Sequence, residues 1–239
     1  MGKLTRRQFL RLAAAQGSGL VAMGALAGCA TSEPTAPHSV LEPAGEDEIP
    51  LPEPRLEGEI SLEQAIASRR SIREFTDESL SWEEISQLLW AAQGITDPRG
   101  LRAAPSAGAL YPLELYVAVA DGAYRYLPQG HALRVVTGED GRQGLWEAGL
   151  RQGALQAAPA IFVITGIYQR TEGKYGGRAE RYVELEAGHV SQNILVQAVA
   201  LKLGAVPIGA FYDDQVQDVL GLPPEHRPLY LIPVGHPEA

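Results

Sequence analysis

An α+β domain is the fold class this sequence predicts, and three observations predict it. A continuous apolar, β-branched run at Ala160–Ile167 has the character of a strand buried at the centre of a sheet. Two shorter apolar segments, Leu113–Ala120 and Tyr124–Leu127, flank Asp121-Gly122, a dipeptide suited to a hairpin turn. Around these strands lie stretches of helical periodicity, the longest from about Arg178 to Leu203. A hairpin among helices fits α+β better than a purely parallel α/β sheet.

Taken in chain order, the first segment is not part of that domain. Thr5-Arg6-Arg7-Gln8-Phe9-Leu10-Arg11 precedes a weakly apolar run, Leu12–Leu26, which ends in Leu26-Ala27-Gly28-Cys29. A basic start, a short apolar stretch and small residues are the parts of a secretory signal, and the run is too rich in Ala and Gly for a good membrane span. Residues 1–28 are therefore expected to be a removable signal peptide. The arginine pair resembles a twin-arginine export motif, and Leu-Ala-Gly-Cys resembles a bacterial lipobox. Together they imply an exported lipoprotein, attached to a membrane only through acyl chains on Cys29, facing the periplasm or cell exterior. The plainer reading is a buried small residue at Cys29 and a solvated arginine pair. Residues 29–59 carry prolines at 34, 37, 43, 50, 52 and 54 among many acids, which predicts an extended tether, with the folded domain over residues 60–239.

Ser61-Leu-Glu-Gln64 has the form of a capping box and opens a short helix with Arg69 and Arg70 near its end. Ser81-Trp-Glu-Glu84 opens a second, in which Trp82, Ile85, Leu88, Leu89 and Ala92 recur at helical spacing until Gly94. After the long helix, the pattern predicts a strand at Val206–Phe211, a helix at Asp213–Leu220 and a last strand at Leu229–Val234.

Composition excludes several functions. The net charge is −9, and removing the four cations of residues 1–28, which hold no acid, leaves −13. A chain so acidic offers no counterion-releasing face to nucleic acid. One cysteine cannot form an internal disulfide, five scattered histidines give no zinc spacing, and no metal site is expected. No G-x-G-x-x-G follows a strand and no Walker lysine motif occurs, so a Rossmann or P-loop nucleotide site is not supported.

Three segments carry chemistry. Arg69, Arg70 and Arg73, with Ser71 between them, concentrate planar guanidinia that suit a phosphate, although a solvated helix end would carry the same charges. Pro105-Ser106-Ala107-Gly108, continuing to Tyr111-Pro112, is a small-residue turn whose amides can approach a flat ring or a phosphate, or an ordinary loop before a strand. Lys174-Tyr175 sits in Gly173–Gly177 and reads either as a base with a proton relay or as a flexible surface loop. His189, in a helix beside Ala187, Gly188 and Val190, reads as a packed histidine rather than a base.

Arg-Arg-Ser-x-Arg-x-Phe, Leu-Leu-Trp-Ala-Ala-Gln-Gly and Pro-Ser-Ala-Gly-Ala-Leu-Tyr-Pro, met in that order, resemble the FMN-dependent nitroreductase superfamily. The nearest likeness is to the branch of peptide azoline dehydrogenases, and it continues through Glu186-Ala187-Gly188-His189 and Pro233-Val234-Gly235. The resemblance implies a mixed, mainly antiparallel sheet flanked by helices, with FMN at a homodimer interface. It implies that Arg69, Arg70, Ser71 and Arg73 hold the FMN phosphate and ribityl chain, that Pro105, Ser106, Ala107 and Gly108 line the flavin ring, and that Gln192 and Asn193 add contacts across the subunit boundary. Pro207, Ile208 and Gly209 would supply backbone contacts near N5, and Lys174 and Tyr175 would be catalytic. The expected activity is two-electron transfer at flavin N5 on a small-molecule or peptide-derived substrate. Its alternatives are an NAD(P)H-dependent nitro or quinone reductase, in which NAD(P)H is a transient donor, and a non-catalytic flavin- or ligand-binding lipoprotein. The chain lacks the basic residues that close over the phosphate after the last strand in many simple nitroreductases. Either the arginine cluster suffices or His236 takes part.

Overall fold

The computed structural model describes residues 48–238. The expectations for Arg6, Arg7 and Cys29 lie outside these residues. Seven strands form one sheet: β1 (Glu48–Pro50), β2 (Leu113–Val119), β3 (Gly122–Leu127), β4 (Ala132–Thr137), β5 (Ala160–Gly166), β6 (Gly204–Ala205) and β7 (Arg227–Gly235). Their order across the sheet is β1-β4-β3-β2-β5-β7-β6, with every ladder antiparallel. The helices are α1 (Leu62–Ser68), α2 (Trp82–Gln93), α3 (Arg142–Ala148), α4 (Gly153–Ala157), α5 (Gln169–Tyr175), α6 (Ala179–Ala200) and α7 (Asp213–Leu220).

The period-two alternation of the central strands builds two cores. Leu113, Leu115 and Val117 of β2, with Phe162 and Ile164 of β5, pack on Ile85, Leu88 and Leu89 of α2 and Val183, Val190 and Ile194 of α6. The intervening residues Tyr116, Ala118, Ile161 and Val163 point to the other face, against Leu145, Leu155, Val216 and Leu220 of α3, α4 and α7. Buried on both faces, β5 needs the unbroken apolar run seen in its sequence. Both serine capping boxes form: Ser61 Oγ accepts from Gln64 N at 3.2 Å and Ser81 Oγ from Glu84 N at 3.3 Å.

The hairpin closes one residue earlier than expected. Val119 pairs with Gly122, so Ala120 and Asp121 make the turn. Gly122 has φ 146°, and a β-carbon there would strike the Thr137 carbonyl oxygen. The tether boundary is corrected. Residues 48–50 pair with β4, Leu51 is buried, and Glu48 meets Arg134 at 3.0 Å. Proline and acid are compatible with this position because an edge strand leaves one row of amides without ladder partners. Beyond it, Arg55 N donates to Gln87 Oε1 at 2.8 Å and Gln87 Nε2 returns a bond to Arg55 O at 3.1 Å.

Candidate functional site

The arginine segment leaves α1 and runs along the far edge of the sheet. Ile72 N donates to Ala205 O at 3.1 Å, Ser71 forms a parallel bridge with Ala205, and Phe75 bridges Pro237. A β-carbon on Gly204 would stand 2.7 Å from Ile72 Cγ2, so glycine lets the segment seat closely. The backbone is thus held while Arg70, Ser71 and Arg73 remain exposed and Arg69 half-exposed. Arg70 Nη1 donates to Ala67 O at 3.1 Å and Arg69 O at 2.7 Å, which satisfies part of the helix end. Among the described residues, none of the three guanidinia forms an ion pair with a carboxylate. His236 lies 3.8 Å from Glu84 Oε1, so it is drawn to the start of α2.

Beside this segment, the expected strand Val206–Phe211 is replaced by β6 just before it and a single bridge at Ile208. Ile208 exchanges both backbone bonds with Leu231, at 2.8 and 2.9 Å. Pro207 has no N–H to continue the ladder, so pairing is interrupted there and resumes only at Ile208. Of Pro207, Ile208 and Gly209, only Gly209 keeps an unspent amide among the described residues. It is exposed, and a β-carbon there would meet only Tyr230 Cε1 at 3.9 Å. The expectation of three backbone contacts therefore reduces to one N–H donor.

The second candidate loop precedes β2. Ser106 Oγ accepts from Tyr111 N at 2.9 Å, and Gly108, Ala109 and Tyr111 have φ of 64°, 54° and 47°. Two non-glycine residues in the left-handed region within four positions mark a strained turn. Arg170 fastens it from α5, donating from Nη1 to Tyr111 O at 3.1 Å and pairing with the buried Glu114 at 2.6 Å. Lys174 and Tyr175 form the last turn of α5 rather than a surface loop. A β-carbon on Gly108 would lie 2.7 Å from Lys174 Nζ and 2.9 Å from Tyr175 Oη. Tyr175 is fixed in turn by an edge-on contact with Tyr182, 5.0 Å between ring centroids.

Pro105, Ser106 and Ala107 also wall a cavity of about 250 Å³ whose other side is Tyr182, Leu185, Glu186 and His189 of α6. His189 is exposed here, which corrects the expectation of a packed histidine. Gln192 is exposed one turn further on, whereas Asn193 donates from Nδ2 to Ala91 O at 2.9 Å and so ties α6 to α2. Glu186 has no counterpart among the expected site residues. It is 2% exposed, and burial pushes its carboxyl up to about 7 against the opposing pull of Ser106, Gln93 and Arg102. The sequence held a signal for it: an acid in the stripe Val183, Ala187, Val190 that α6 turns to the core. A larger cleft of about 470 Å³, lined by Asp77, Asp140, Arg142 and Trp146, gathers none of the expected site residues.

The candidate residues thus form two groups. One joins the arginines to Gly204–Gly209; the other joins Pro105–Gly108 to Lys174, Tyr175 and Glu186. Helix α6 runs between them: Glu186 lies fourteen residues before Ala200, about 21 Å along the axis, and β6 follows that end.

A sequence model of the nitroreductase family matches residues 66–236. A nitroreductase homologue of Methanocaldococcus jannaschii is 42% identical over 194 residues, covering 79% of this chain and 96% of the relative. Among solved structures, a nitroreductase homologue of Ralstonia eutropha is 29% identical with a TM-score of 0.72, covering 81% of this chain and 91% of that one. Another, from Desulfovibrio desulfuricans and solved in complex with FMN, is 27% identical with a TM-score of 0.56, covering 76% and 88% of the two chains.

Proposed function

This chain belongs to the nitroreductase family of oxidoreductases, and on that premise we propose that it performs two-electron transfer on FMN held between two copies of itself. The observation that carries the reading is the set of guanidinia on Arg69, Arg70 and Arg73, free of carboxylates among the described residues, on a segment paired with Ala205 four residues before the exposed backbone N–H of Gly209. Such a donor set fits a phosphate dianion followed by a polar chain. When bound, FMN supplies a group that accepts and returns an electron pair. Ser71 and the arginines would grip its phosphate, and the Gly209 amide would face the ring edge where negative charge develops.

Pro105–Gly108, Lys174 and Tyr175 would border the ring from the other copy. The separation of the two groups along α6 supports this division. So do Leu62 and Ile66 on α1, 63% and 56% exposed, and Leu185 on α6, 52% exposed, which leave apolar surface for a partner copy. The side-chain nitrogen of Lys174 and the hydroxyl of Tyr175, both at Gly108, would take and relay a proton, with the lysine as the neutral amine, while a small-molecule or peptide-derived substrate gives up hydride. In the reducing direction NAD(P)H would be the transient donor. The decisive measurement is the absorbance and mass of the cofactor released from purified protein, followed by anaerobic mixing with NAD(P)H and a quinone. Protein isolated without flavin would overturn the reading; flavin without nicotinamide turnover would leave the dehydrogenase limb. Export and acylation belong to the same proposal, supported by Arg6-Arg7 and Cys29, and loss of membrane attachment in Cys29→Ala is the test.

A further inference from the structure

This inference rests on the FMN reading. Glu186 sits on the buried stripe of α6 between Val183 and Val190, with no ion-pair partner among the described residues. The cation that acts on it, Arg102, also has other partners: Nη1 donates to Gln93 Oε1 at 3.0 Å, and the guanidinium lies 4.4 Å over the Tyr111 ring. Among the described residues, Glu186 Oε1 and Gln93 Nε2 both lack hydrogen-bond partners. With only the pull of Ser106, Gln93 and Arg102 against its burial, and Oε1 left without a partner, the carboxyl holds its charge weakly and is suited to bind a proton when another negative charge arrives. It is also a wall of the cavity bounded by Pro105, Ser106 and Ala107, so it borders the space assigned to the flavin ring and its substrate.

We propose that Glu186 is the proton store of this site: it binds a solvent proton when the adjoining flavin gains negative charge on reduction, and gives it to the acceptor on reoxidation. In the quinone case, hydride from a nicotinamide-class donor passes by way of the cofactor to the quinone, leaving a monoanion. The Glu186 O–H bond then breaks, its proton makes the neutral hydroquinone, and solvent reprotonates the carboxylate at the next flavin reduction. Of titratable and charged groups, Arg102 acts on it directly and Tyr182 and His189 share its cavity; Tyr111 lies against Arg102, and Lys174 and Tyr175 lie against Gly108 of the adjoining loop. Of these, Lys174 and His189 are exposed, whereas Glu186 is buried.

The test is proton uptake during anaerobic reduction of the flavin-loaded protein in weak buffer, read with an indicator dye between about pH 6 and about pH 8.5. Above pH 7, where the carboxyl of the oxidised protein is ionised, the native chain should take up an additional proton per flavin relative to Glu186→Gln. Near pH 6 the excess should vanish, because the carboxyl is already protonated, and Glu186→Asp should restore part of it. Equal uptake by the native and Gln chains at every pH, with flavin content unchanged, overturns the proposal. If the Gln chain does not retain flavin, reduced-minus-oxidised infrared spectra of the native protein at pH 8 decide. A new carboxylic-acid C=O band supports the proposal, and its absence refutes it. A native chain purified without flavin fails at the earlier step and refutes the FMN reading instead, this proposal falling with it.

Discussion

The Nζ of Lys174 stands 2.7 Å from the point a β-carbon on Gly108 would occupy, so the helix-end lysine is packed on the bare backbone of the strained loop. Gly108→Ala tests that contact. Its φ of 64° makes an L side chain costly by about 1 kcal/mol, while the flexible lysine can swing aside at little further expense. We expect a stability loss of that size in urea titration, together with a fall in turnover of roughly tenfold as Lys174 and Tyr175 leave their positions. Unchanged turnover would show that the contact does not matter to the site.

Arg70→Ala combined with Arg73→Ala separates ligand binding from folding. Both side chains are exposed and neither is paired with a carboxylate among the described residues, so thermal stability of the flavin-free chain should change by no more than about 0.5 kcal/mol. Each charge-assisted bond to a phosphate contributes about 1.5–3 kcal/mol, so the affinity for FMN, followed by quenching of flavin fluorescence, should fall at least tenfold. A large drop in stability with intact affinity would reverse the assignment.

Glu186 makes stability depend on pH in a definite direction. Its carboxyl is raised from 4.5 to about 7 in the folded chain. The folded state therefore binds more protons than the unfolded one between these values, and stability declines as pH rises from about 4.5 through about 7. Glu186→Gln removes the decline. We expect it to stabilise the flavin-free chain at pH 8, on the order of 3 kcal/mol, relative to its effect at pH 4.5. A difference between the two chains that stays constant over that range would sink the prediction.

Asn193→Ala should act on packing alone. Its amide joins α6 to Ala91 O of α2 at 2.9 Å, a bond whose loss leaves a carbonyl short of a partner at a cost of about 1–2 kcal/mol. Calorimetry should register this while FMN affinity stays within twofold of the native chain. A much larger loss of affinity would return Asn193 to the flavin contacts.

Much of the domain was legible because the signals were local. Alternation in Leu113–Val119, the β-branched run at Ala160–Gly166 and the serine capping boxes each need only neighbouring residues to act, and the structure carries all of them. The strand β4, the short helices α3 and α4, and β1 escaped notice because tertiary pairing, not local propensity, holds them. At β1 the prolines suggested a tether, yet Leu51 and the β4 edge order it. The candidate site divides in the same way. Arginine clusters and small-residue turns announce themselves in sequence, and the structure pairs each with a neighbour. Glu186 shows in sequence only as an acid within an apolar helix stripe, and the scarcity of partners that distinguishes it emerges once the helix is docked.

The 21 Å of α6 between the two candidate groups has a genetic consequence. In a two-fold dimer whose sites each draw on both copies, a chain lacking Arg70 and Arg73 and a chain altered at Gly108 are each impaired alone, the second to about a tenth of native turnover. Joined as a mixed pair, they pool both lesions in one site and leave the other wholly native. Equal amounts of the two, unfolded and refolded together, should recover about a quarter of native activity, because half the dimers are mixed and each has one sound site. Two broken alleles would then complement each other within one molecule.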